Sequence, residues 1–386
     1  MGISASRAPR ALLAVDRAVS EVRRGRQVVM LSADGRAVLV QAAEGATPES
    51  LERARSLAEA EPRMAVTPTR ARVLGLTLTR NEGETGVALL TTRTPLSAEA
   101  AAALADPLGQ GAAHAMPATT DLSTDLTATM ARAHSAEAAA VRLVKIARLL
   151  PAAIVVPLET SEADDPARFA ARADLLLVDA GDVFQYEQTA ARALKPVSEA
   201  RVPLEGAENT RVVAFRPDDG GLEHLAIIIG EPDPGSPVLL RLHSECFTGD
   251  LLGSLRCDCG DQLKGALGEI AANGSGVLLY LAQEGRGIGL VNKLRAYVLQ
   301  DDGFDTMDAN EQLGFDADER IYLPAARMLQ SLGIERVRLL TNNPFKVEAL
   351  KAFGVDVSER VEHTFPANPH NELYLQTKKA KGGHLF

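Results

Sequence analysis

Three cysteines with the spacing of metal ligands are the residues of this sequence best suited to chemistry. They are Cys246, Cys257 and Cys259, a C-x10-C-x-C set within RLHSECFTGDLLGSLRCDCGDQL (241–263), with His243 close by. Three thiolates that converge on one point favour a soft, four-coordinate metal, and zinc is the default. Because the chain has only three cysteines, a histidine or a water must complete the shell, and a water would make the site catalytic.

The alternative interpretation is that these cysteines are three small buried residues, because free cysteine often packs as an apolar group. Arg256, Asp258 and Asp261 flank the second and third cysteines, and so polar a neighbourhood disfavours a core. Three thiolates on one dication leave the site formally negative, so a donor such as Arg256 or His243 would be needed beside it. We therefore predict a zinc centre at this position.

A glycine-rich turn between a strand and a helix is the second candidate. It lies in GSGVLLYLAQEGRGIGLVNKLRAYVLQ (274–300), where every second residue from 285 to 289 is glycine. Such a turn leaves backbone amides accessible to an anion at a helix start, although simple turn geometry is the competing explanation. The spacing fits neither a Walker loop nor G-x-G-x-x-G. Glu284 and Arg286 favour nucleotide binding, since a carboxylate can accept hydrogen bonds from the donor edge of guanine.

A second strand, turn and helix follow the same plan in RVRLLTNNPFKVEALKAFG (336–354). The pattern predicts a strand that ends at Thr341, an Asn-Asn-Pro turn and a helix that Gly354 caps. Thr341 and Lys346 are placed where a phosphate could be held. Helix capping and a solvated helix face would explain the same two residue types.

Asp318 and Arg320 lie between these two segments and precede an amphipathic helix that ends at Gly333. As isolated residues they are typical of helix capping and of surface charge. Their closeness in sequence to the cysteine cluster makes them candidates for the same site.

The elements that must position these residues divide the chain into two halves of different character. The first is rich in Ala, Arg and Glu, and its pattern predicts two helices (7–25 and 134–150), a hairpin (27–43) and a strand (152–159), typical of an α+β domain. We interpret the polar stretch RALKPVSEARVPLEG (192–206) as a linker. For the second half we expect an α/β domain with a mixed sheet flanked by helices.

The composition of the chain excludes several classes of protein. The 386 residues suggest two or three domains, and 51 acidic against 41 basic side chains give a net charge of -10. That charge argues against a protein that coats nucleic acid or anionic membrane. An odd number of cysteines, no apolar run of about 20 residues and no signal-peptide pattern predict a cytoplasmic protein.

Residues 205–386 resemble GTP cyclohydrolase II, the enzyme that opens riboflavin biosynthesis. The resemblance is carried, in order, by RLHSECFTGDLLGSLRCDCG, YLAQEGRGIGLVNKLRAYVLQ, DTMDANEQLGFDADER, RLLTNNPFKVEAL and the terminal GHLF. It implies hydrolysis of GTP to formate, diphosphate and 2,5-diamino-6-(5-phospho-D-ribosylamino)pyrimidin-4(3H)-one. It also implies one catalytic zinc on the three cysteines, magnesium on the triphosphate and a homodimer.

The resemblance assigns roles to individual residues. It implies that Asp318 accepts a proton, that Arg320 attacks the α-phosphate and that Tyr297 is needed for the complete reaction. The positions that it implies for GTP binding are Arg241, Leu242, His243, Ser244, Glu245, Gln262, Glu284, Gly285, Arg286, Thr306, Thr341 and Lys346.

Two of these roles lead to expectations from chemistry. Because Tyr297 is present, we predict release of formate instead of arrest at the formamide. A guanidinium with a pKa above about 12 is a poor nucleophile unless a base such as Asp318 takes its proton. In the competing account, Arg320 stabilises charge on the α-phosphate as diphosphate leaves. We expect Arg320 to be essential under either account.

The first half is similar to 3,4-dihydroxy-2-butanone 4-phosphate synthase over residues 10–200, through RRGRQVVML, AAEGATPESL and RLVKIARLLPAAIVV. That synthase carries an acidic metal-binding loop, whereas this chain has SADGRAVLVQ with one acid, Asp34. His134 and Glu137 are also spaced differently from the synthase's His-Thr-Glu motif. We predict an inactive domain over 1–195, kept for dimerisation or for support of a catalytic domain over 205–386.

Three other functions are less well supported. A bifunctional enzyme that also makes 3,4-dihydroxy-2-butanone 4-phosphate from ribulose 5-phosphate is disfavoured by the missing acidic loop. A GTP sensor without turnover has no need for the cysteines together with Tyr297, Asp318 and Arg320. A zinc-stapled nucleic-acid module is disfavoured by the net charge.

Overall fold

The computed structural model describes residues 8–78, 86–109, 126–159, 165–366 and 369; the terminal GHLF lies outside them. The chain divides into two compact units. The first comprises Met1–Glu187, Val291–Phe304 and Asp308–Glu319, and the second comprises Gln188–Leu290, Asp305–Met307 and Arg320–Phe386. The domain boundaries expected from the sequence stay a prediction. Within the described ranges, no helix has both the length and the apolar character that a membrane crossing requires.

The helices of the described residues are numbered in chain order. They are α1 (Ala8–Arg23), α2 (Pro48–Ala58), α3 (Pro68–Val73), α4 (Ala98–Ala105), α5 (Ala136–Ile146), α6 (Pro166–Arg172), α7 (Ala180–Arg192), α8 (Cys259–Ala272), α9 (Leu290–Asp301), α10 (Thr306–Gln312), α11 (Leu323–Ser331) and α12 (Pro344–Ala352).

A seven-stranded sheet forms the centre of the first unit. Its strands are β1 (Val28–Leu31), β2 (Ala37–Ala42), β3 (Arg63–Val66), β4 (Ala88–Thr92), β5 (Leu126–Met130), β6 (Ala152–Leu158) and β7 (Leu176–Asp179). They lie in the order β5-β4-β3-β6-β2-β1-β7, antiparallel except for the parallel pair of β1 and β7. The mixture of helices with this sheet confirms the layered fold class that the sequence predicts.

The hairpin expected at 27–43 is present. β1 pairs with β2 in antiparallel register, and Ser32 N donates to Arg36 O across the turn at 2.8 Å. The Ala-rich helix α5 packs against this sheet, because its small side chains let the helix backbone approach the strands closely. Ser135 caps α5, its hydroxyl accepting from Ala138 N at 3.2 Å.

A second seven-stranded sheet forms the centre of the second unit. Its strands are β8 (Lys195–Arg201), β9 (Thr210–Arg216), β10 (His224–Ile229), β11 (Val238–Ser244), β12 (Gly276–Leu281), β13 (Arg336–Leu340) and β14 (Asp356–Val361). The order is β14-β13-β11-β12-β10-β9-β8, and the sheet is mixed, as expected. Side chains of α8 pack on one face and those of α11 on the other.

The stretch interpreted as a linker, 192–206, contains strand β8 instead. β8 pairs antiparallel with β9 at the edge of the second sheet, and all seven of its residues are exposed. The register shifts between Pro196 and Ser198. An edge strand tolerates proline and polar side chains because one side of its backbone needs no partner, so its sequence resembles that of a loop.

Strands β11, β12 and β13 place the candidate residues. β11 pairs parallel with both β12 and β13, so the loops that follow these three strands leave the same edge of the sheet. In open α/β sheets, ligands bind beyond this carboxyl edge. The three motifs singled out from the sequence are the three segments that follow these strands.

The second sheet is closely packed around Gly276, at the start of β12. A methyl group there would lie 2.5 Å from Leu239 O and 2.9 Å from the Ile270 side chain. We expect Gly276→Ala to lower the free energy of unfolding by about 1–3 kcal/mol, measured by urea denaturation. Gly268→Ala is the control, because nothing lies within 4 Å of its added methyl group and α8 gains helix propensity. An unchanged midpoint for Gly276→Ala would contradict this packing.

Candidate metal and nucleotide site

The three cysteine sulfurs converge at the start of α8. Cys246 follows β11, Cys257 lies two residues before α8 and Cys259 is the first residue of that helix. All three Sγ atoms lie within 4.8 Å of one another. The Sγ atoms of Cys246 and Cys257 are 3.7 Å apart. Tetrahedral zinc with Zn–S near 2.3 Å would place its sulfurs about 3.8 Å apart. The donor set and its spacing therefore fit a metal ion, as the sequence predicts.

The chemistry of the thiols also favours a cation. A hydrogen bond with Cys246, together with burial, raises the pKa of Cys257 to about 11. The thiols of Cys246 and Cys257, again with burial, raise the pKa of Cys259 well above its usual value. Thiols packed this closely ionise with difficulty by themselves, and a dication among them reverses that preference because it stabilises each thiolate.

Gly249 lies inside the loop that wraps the sulfurs, a short π-helical turn over Phe247–Leu251. Its amide donates to Cys246 Sγ at 3.3 Å. A methyl group at this position would lie 2.8 Å from Cys257 Sγ and 3.0 Å from Cys246 Sγ. Glycine is therefore required here by space, a role that the sequence analysis missed although this glycine stands between the first two cysteines.

Asp250 connects the Phe247–Leu251 loop, which we call the metal loop, to the sheet. Its role was not predicted from the sequence. His243 Nε2 lies 3.0 and 3.1 Å from its two carboxylate oxygens. The same carboxylate accepts from Cys246 N at 3.0 Å and from the Tyr280 hydroxyl at 2.9 Å. One carboxylate thus orients the first cysteine of the trio and a predicted GTP-binding histidine.

His243 is held as a neutral ring. Burial lowers its pKa below the usual value, against the opposing effect of Asp250. With Nε2 donating to the carboxylate, Nδ1 carries a lone pair. Nδ1 is buried without a hydrogen-bond partner among the described residues, so it is positioned to accept a hydrogen bond from a ligand.

The buried Arg241 of β11 and the half-buried Gln262 of α8 form a polar pair. Arg241 Nη1 donates to Leu340 O at 2.9 Å, and Nη2 donates to the Gln262 side chain. Gln262 in turn donates to Asp258. Burial lowers the pKa of Arg241 to about 10, so the guanidinium stays charged at neutral pH. Its Nε is buried and has no hydrogen-bond partner in the described part of the chain.

The glycine-rich turn forms after β12 as expected, but its glycine amides are not left accessible to an anion. Gly285 N donates to the Glu284 carboxylate, Gly287 N donates to Gln283 O at 3.2 Å and Gly289 N donates to Glu284 O at 3.0 Å. Glu284–Gly287 forms a 3-10 turn in which Gly285 and Arg286 both adopt left-handed conformations, with φ of 62° and 60°. Arg286 has a Cβ, so this backbone is strained, as residues at binding sites often are. The carboxylate of Glu284 is buried and accepts from Phe247 N at 2.6 Å and from Gly285 N at 2.8 Å, which joins the turn to the metal loop.

The remaining predicted residues of β11 lie beside this turn. Leu242 is fully buried in the core and Ser244 Oγ accepts from Gln283 Nε2 at 3.0 Å. Glu245 N donates to Leu281 O at 2.9 Å. Leu242 therefore has only its backbone available for a ligand.

The loop after β13 and the helix that follows it make hydrogen bonds to groups inside the protein. β13 ends at Leu340, one residue before the expected end, and Asn343 caps α12. Thr341 Oγ1 accepts from Asn343 N at 3.0 Å, and the buried Lys346 Nζ donates to Leu242 O at 2.9 Å. Lys346 thus brings a positive charge to the carboxyl end of β11.

The residues of 297–320 are divided between the two units. Tyr297 on α9 and the exposed Asp318 belong to the first, and Thr306 and Arg320 belong to the second. Lys293 Nζ lies 5.8 Å from the Tyr297 ring centroid, and Arg320 Cζ lies 5.9 Å from that of Tyr322. The roles expected for these four residues stay predictions.

Asp34, the one acid in the position of the synthase's acidic loop, is paired with its neighbours. Its carboxylate accepts from Arg36 Nε at 2.8 Å and from the Ser32 hydroxyl. The side chain of Arg36 holds the pKa of Asp34 well below the usual value. The carboxylate is thus occupied by an arginine of the same hairpin.

We expect Gly249→Ala to weaken binding of Zn²⁺ by about tenfold or more, because changes beside metal ligands typically cost that much. The affinity would be measured by competition with a chelating dye. Gly268→Ala, in the helix that carries Cys259, is the matched control and should bind normally. Equal affinities in the two variants would show that Gly249 does not shape the cluster.

We expect Asp250→Asn to lower the free energy of unfolding by about 1–3 kcal/mol, because buried donors lose a charged acceptor. The absorption bands of bound Co²⁺ should also change as Cys246 loses its support. Asp261→Asn removes the same charge from an exposed position on the first turn of α8 and should change neither quantity. If both variants behave alike, the Asp250 network has no part in forming the metal loop.

The family model for GTP cyclohydrolase II matches residues 195–362. A GTP cyclohydrolase-2 from Azospirillum brasilense is 56% identical over 376 residues, which cover 97% of this chain and 94% of the relative. One from Azotobacter vinelandii is 60% identical over 172 residues, 45% of this chain and 83% of the relative. A solved two-domain 3,4-dihydroxy-2-butanone 4-phosphate synthase from A. baumannii aligns with 91% of this chain and 99% of its own, at 20% identity and a TM-score of 0.38. The identity over nearly the whole length of the Azospirillum protein shows that this chain belongs to the GTP cyclohydrolase II family of enzymes.

Proposed function

We propose that this chain hydrolyses GTP to 2,5-diamino-6-(5-phospho-D-ribosylamino)pyrimidin-4(3H)-one, formate and diphosphate, the first step of riboflavin biosynthesis. The observation that carries the proposal is the convergence of three sulfurs within 4.8 Å at the carboxyl edge of a parallel strand group, in a chain of this family. The homodimer, the cytoplasmic location and magnesium on the triphosphate accompany the proposal as expectations.

We propose that Cys246, Cys257 and Cys259 hold one zinc ion. When bound, zinc would supply Lewis acidity toward water and toward an oxygen of the substrate. Around it, Gly249 leaves the space for the sulfurs and Asp250 holds the backbone of Cys246.

The charges at the strand edge suit a nucleotide triphosphate. Arg241 and Lys346 are buried cations whose donors point at the ends of β13 and β11. His243 Nδ1 offers an acceptor beside them. The strained Glu284–Gly287 turn follows β12 at the same edge and is bonded to the cysteine-bearing loop through Glu284. We propose that these groups orient GTP. The contacts predicted at Ser244, Glu245, Gln262, Thr306 and Thr341 would help them to do so.

We propose that Tyr297 supplies a proton or orients the carbonyl during formamide cleavage and that Asp318 acts as a proton acceptor. Arg320 acts on the α-phosphate, either as a nucleophile after Asp318 takes its proton or by stabilising charge as diphosphate leaves. A covalent phosphoguanylyl adduct on an Arg320 peptide, isolated by mass spectrometry, would decide for the nucleophile.

Two other functions have distinct signatures. A bifunctional enzyme would convert ribulose 5-phosphate, and the pairing of Asp34 with Arg36 supports the proposal that the first half lacks this activity. A GTP sensor would bind GTP without turnover. Conversion of ribulose 5-phosphate by the purified chain would support the first, and stoichiometric recovery of intact GTP would support the second.

The proposed reaction is tested by product analysis. We expect the zinc-loaded chain, incubated with GTP and magnesium, to yield the diaminopyrimidinone phosphate and one formate per GTP by mass spectrometry. Removal of zinc by a chelator should abolish ring opening, and Cys257→Ser should do the same. GMP with diphosphate and an unopened ring would mean that the phosphate chemistry works while the metal centre does not, and unchanged GTP would contradict the proposal.

Tyr297→Phe tests the later step. We expect ring opening to continue while formate release falls by about 10²–10⁴-fold, the usual contribution of a positioned proton donor, so that the formamide accumulates. Tyr186→Phe is the control, since it removes a hydroxyl from another tyrosine of the first unit to which no role in the reaction is assigned. Formate release at the normal rate from Tyr297→Phe would contradict the role proposed here.

A further inference from the structure

Two segments that carry predicted catalytic residues are built into the first unit. Val291–Phe304 contains Tyr297, and Asp308–Glu319 contains Asp318. Both form one compact unit with Met1–Glu187. The contacts inside this unit show which side chains hold the two segments.

The helix that carries Tyr297 is held by one buried amide and one arginine. Asn292, fully buried, donates through Nδ2 to Arg148 O at 3.0 Å. Arg295 Nη1 donates to Asn292 Oδ1 at 2.8 Å, and its guanidinium lies 3.4 Å from Glu44 and 3.3 Å from Asp106. Asn292 and Arg295 lie five and two residues before Tyr297 on the same helix.

The middle of the second segment is held by Arg70, which is only 3% exposed. Its Nη1 donates to Gln312 O at 2.7 Å and its Nε to Leu104 O at 2.9 Å. Thr67 Oγ1 donates to Gly314 O at 2.6 Å. Burial lowers the pKa of Arg70 to about 10, so a charged group is kept in the interior, where it binds one backbone carbonyl at the end of α10 and one near the end of α4.

The end of the same segment is held by Lys145 of α5. Its Nζ lies 2.6 Å from Glu319 and 3.5 Å from Asp316. The side chains of Lys145 and Glu319 are 14% and 12% exposed. Asp318 lies between the two carboxylates that Lys145 binds, so the ion pairs restrict the backbone on both sides of it.

We propose that Arg70, Lys145 and Arg295 are positioning residues, whose contacts join the two segments to residues of the first half and so set the place of Asp318 and Tyr297 during catalysis. The inference rests on the proposed function for the roles of Tyr297 and Asp318. The chemistry behind it is preorganisation, because a displacement of about 1 Å in a catalytic group can cost as much as 10²-fold in rate. The Azotobacter relative, which matches only 45% of this chain, shows that the family includes shorter chains, so the proposal concerns how this chain holds the two segments.

Arg295→Met and Lys145→Met keep the apolar stems and remove the charges. In the full-length, zinc-loaded chain we expect Arg295→Met to raise the share of turnovers that end at the formamide, as Tyr297→Phe does. We expect Lys145→Met to lower kcat by about tenfold or more with KM for GTP within about twofold. Asp165→Ala removes the cap of α6, whose carboxylate accepts from Arg168 N at 2.8 Å. It should lower Tm and leave the product ratio and kcat unchanged.

Hydrogen exchange separates this proposal from the proposed function. In both methionine variants, amides within 291–319 should exchange faster while those of β1 and β2 keep their protection. Unchanged exchange, or faster exchange with an unchanged product ratio and kcat, would overturn the positioning role. A wild-type chain that leaves GTP intact would overturn the proposed function alone, since the exchange experiment still reports whether these residues hold the segments.

Discussion

The parallel alignment of β11 with β12 and β13 is the constraint on which the candidate site depends. Because these strands run side by side in one direction, the residues that follow them meet at one edge, although they are far apart in the sequence. The first loop brings a thiol and a carboxylate, the second brings a strained turn with the buried Glu284 carboxylate, and the third brings the buried Lys346 ammonium. The cysteine cluster and the glycine-rich turn can share one edge only because the sheet sets this geometry.

Charged side chains at that edge form hydrogen bonds with groups of the protein itself. Asp250 accepts from Cys246 N and lies against His243, Glu284 accepts from Phe247 N, and Lys346 donates to Leu242 O. Charge-assisted hydrogen bonds of this kind are stronger than neutral ones. They hold the three loops in one arrangement before substrate arrives, which reduces the reorganisation needed for catalysis. The same hydrogen bonds explain why Arg241 and Lys346 can remain buried and charged.

The first half combines an ordinary core with an unusual use of buried charge. Its sheet and the Ala-rich helix α5 need only apolar contacts to fold. Arg70 and Lys145, in contrast, direct their charges at the segment Asp308–Glu319, which contains the end of α10. Burying a charge is costly unless it is fully paired. Its presence at these points favours a role in placing the chain over a role in stability alone.

The family, the clustering of the three cysteines, the presence of a turn after β12 and the hairpin of the first half could be predicted from the sequence, because each depends on residue types at short spacing. The edge strand β8 was interpreted as a linker, since proline and polar residues suit an edge strand and a loop equally. Gly249, Asp250 and the buried donors of Arg70 gain their meaning only from neighbours in space. The assignment of Tyr297 and Asp318 to the first unit was likewise decided by tertiary packing, because long-range contacts leave no periodic pattern in the chain.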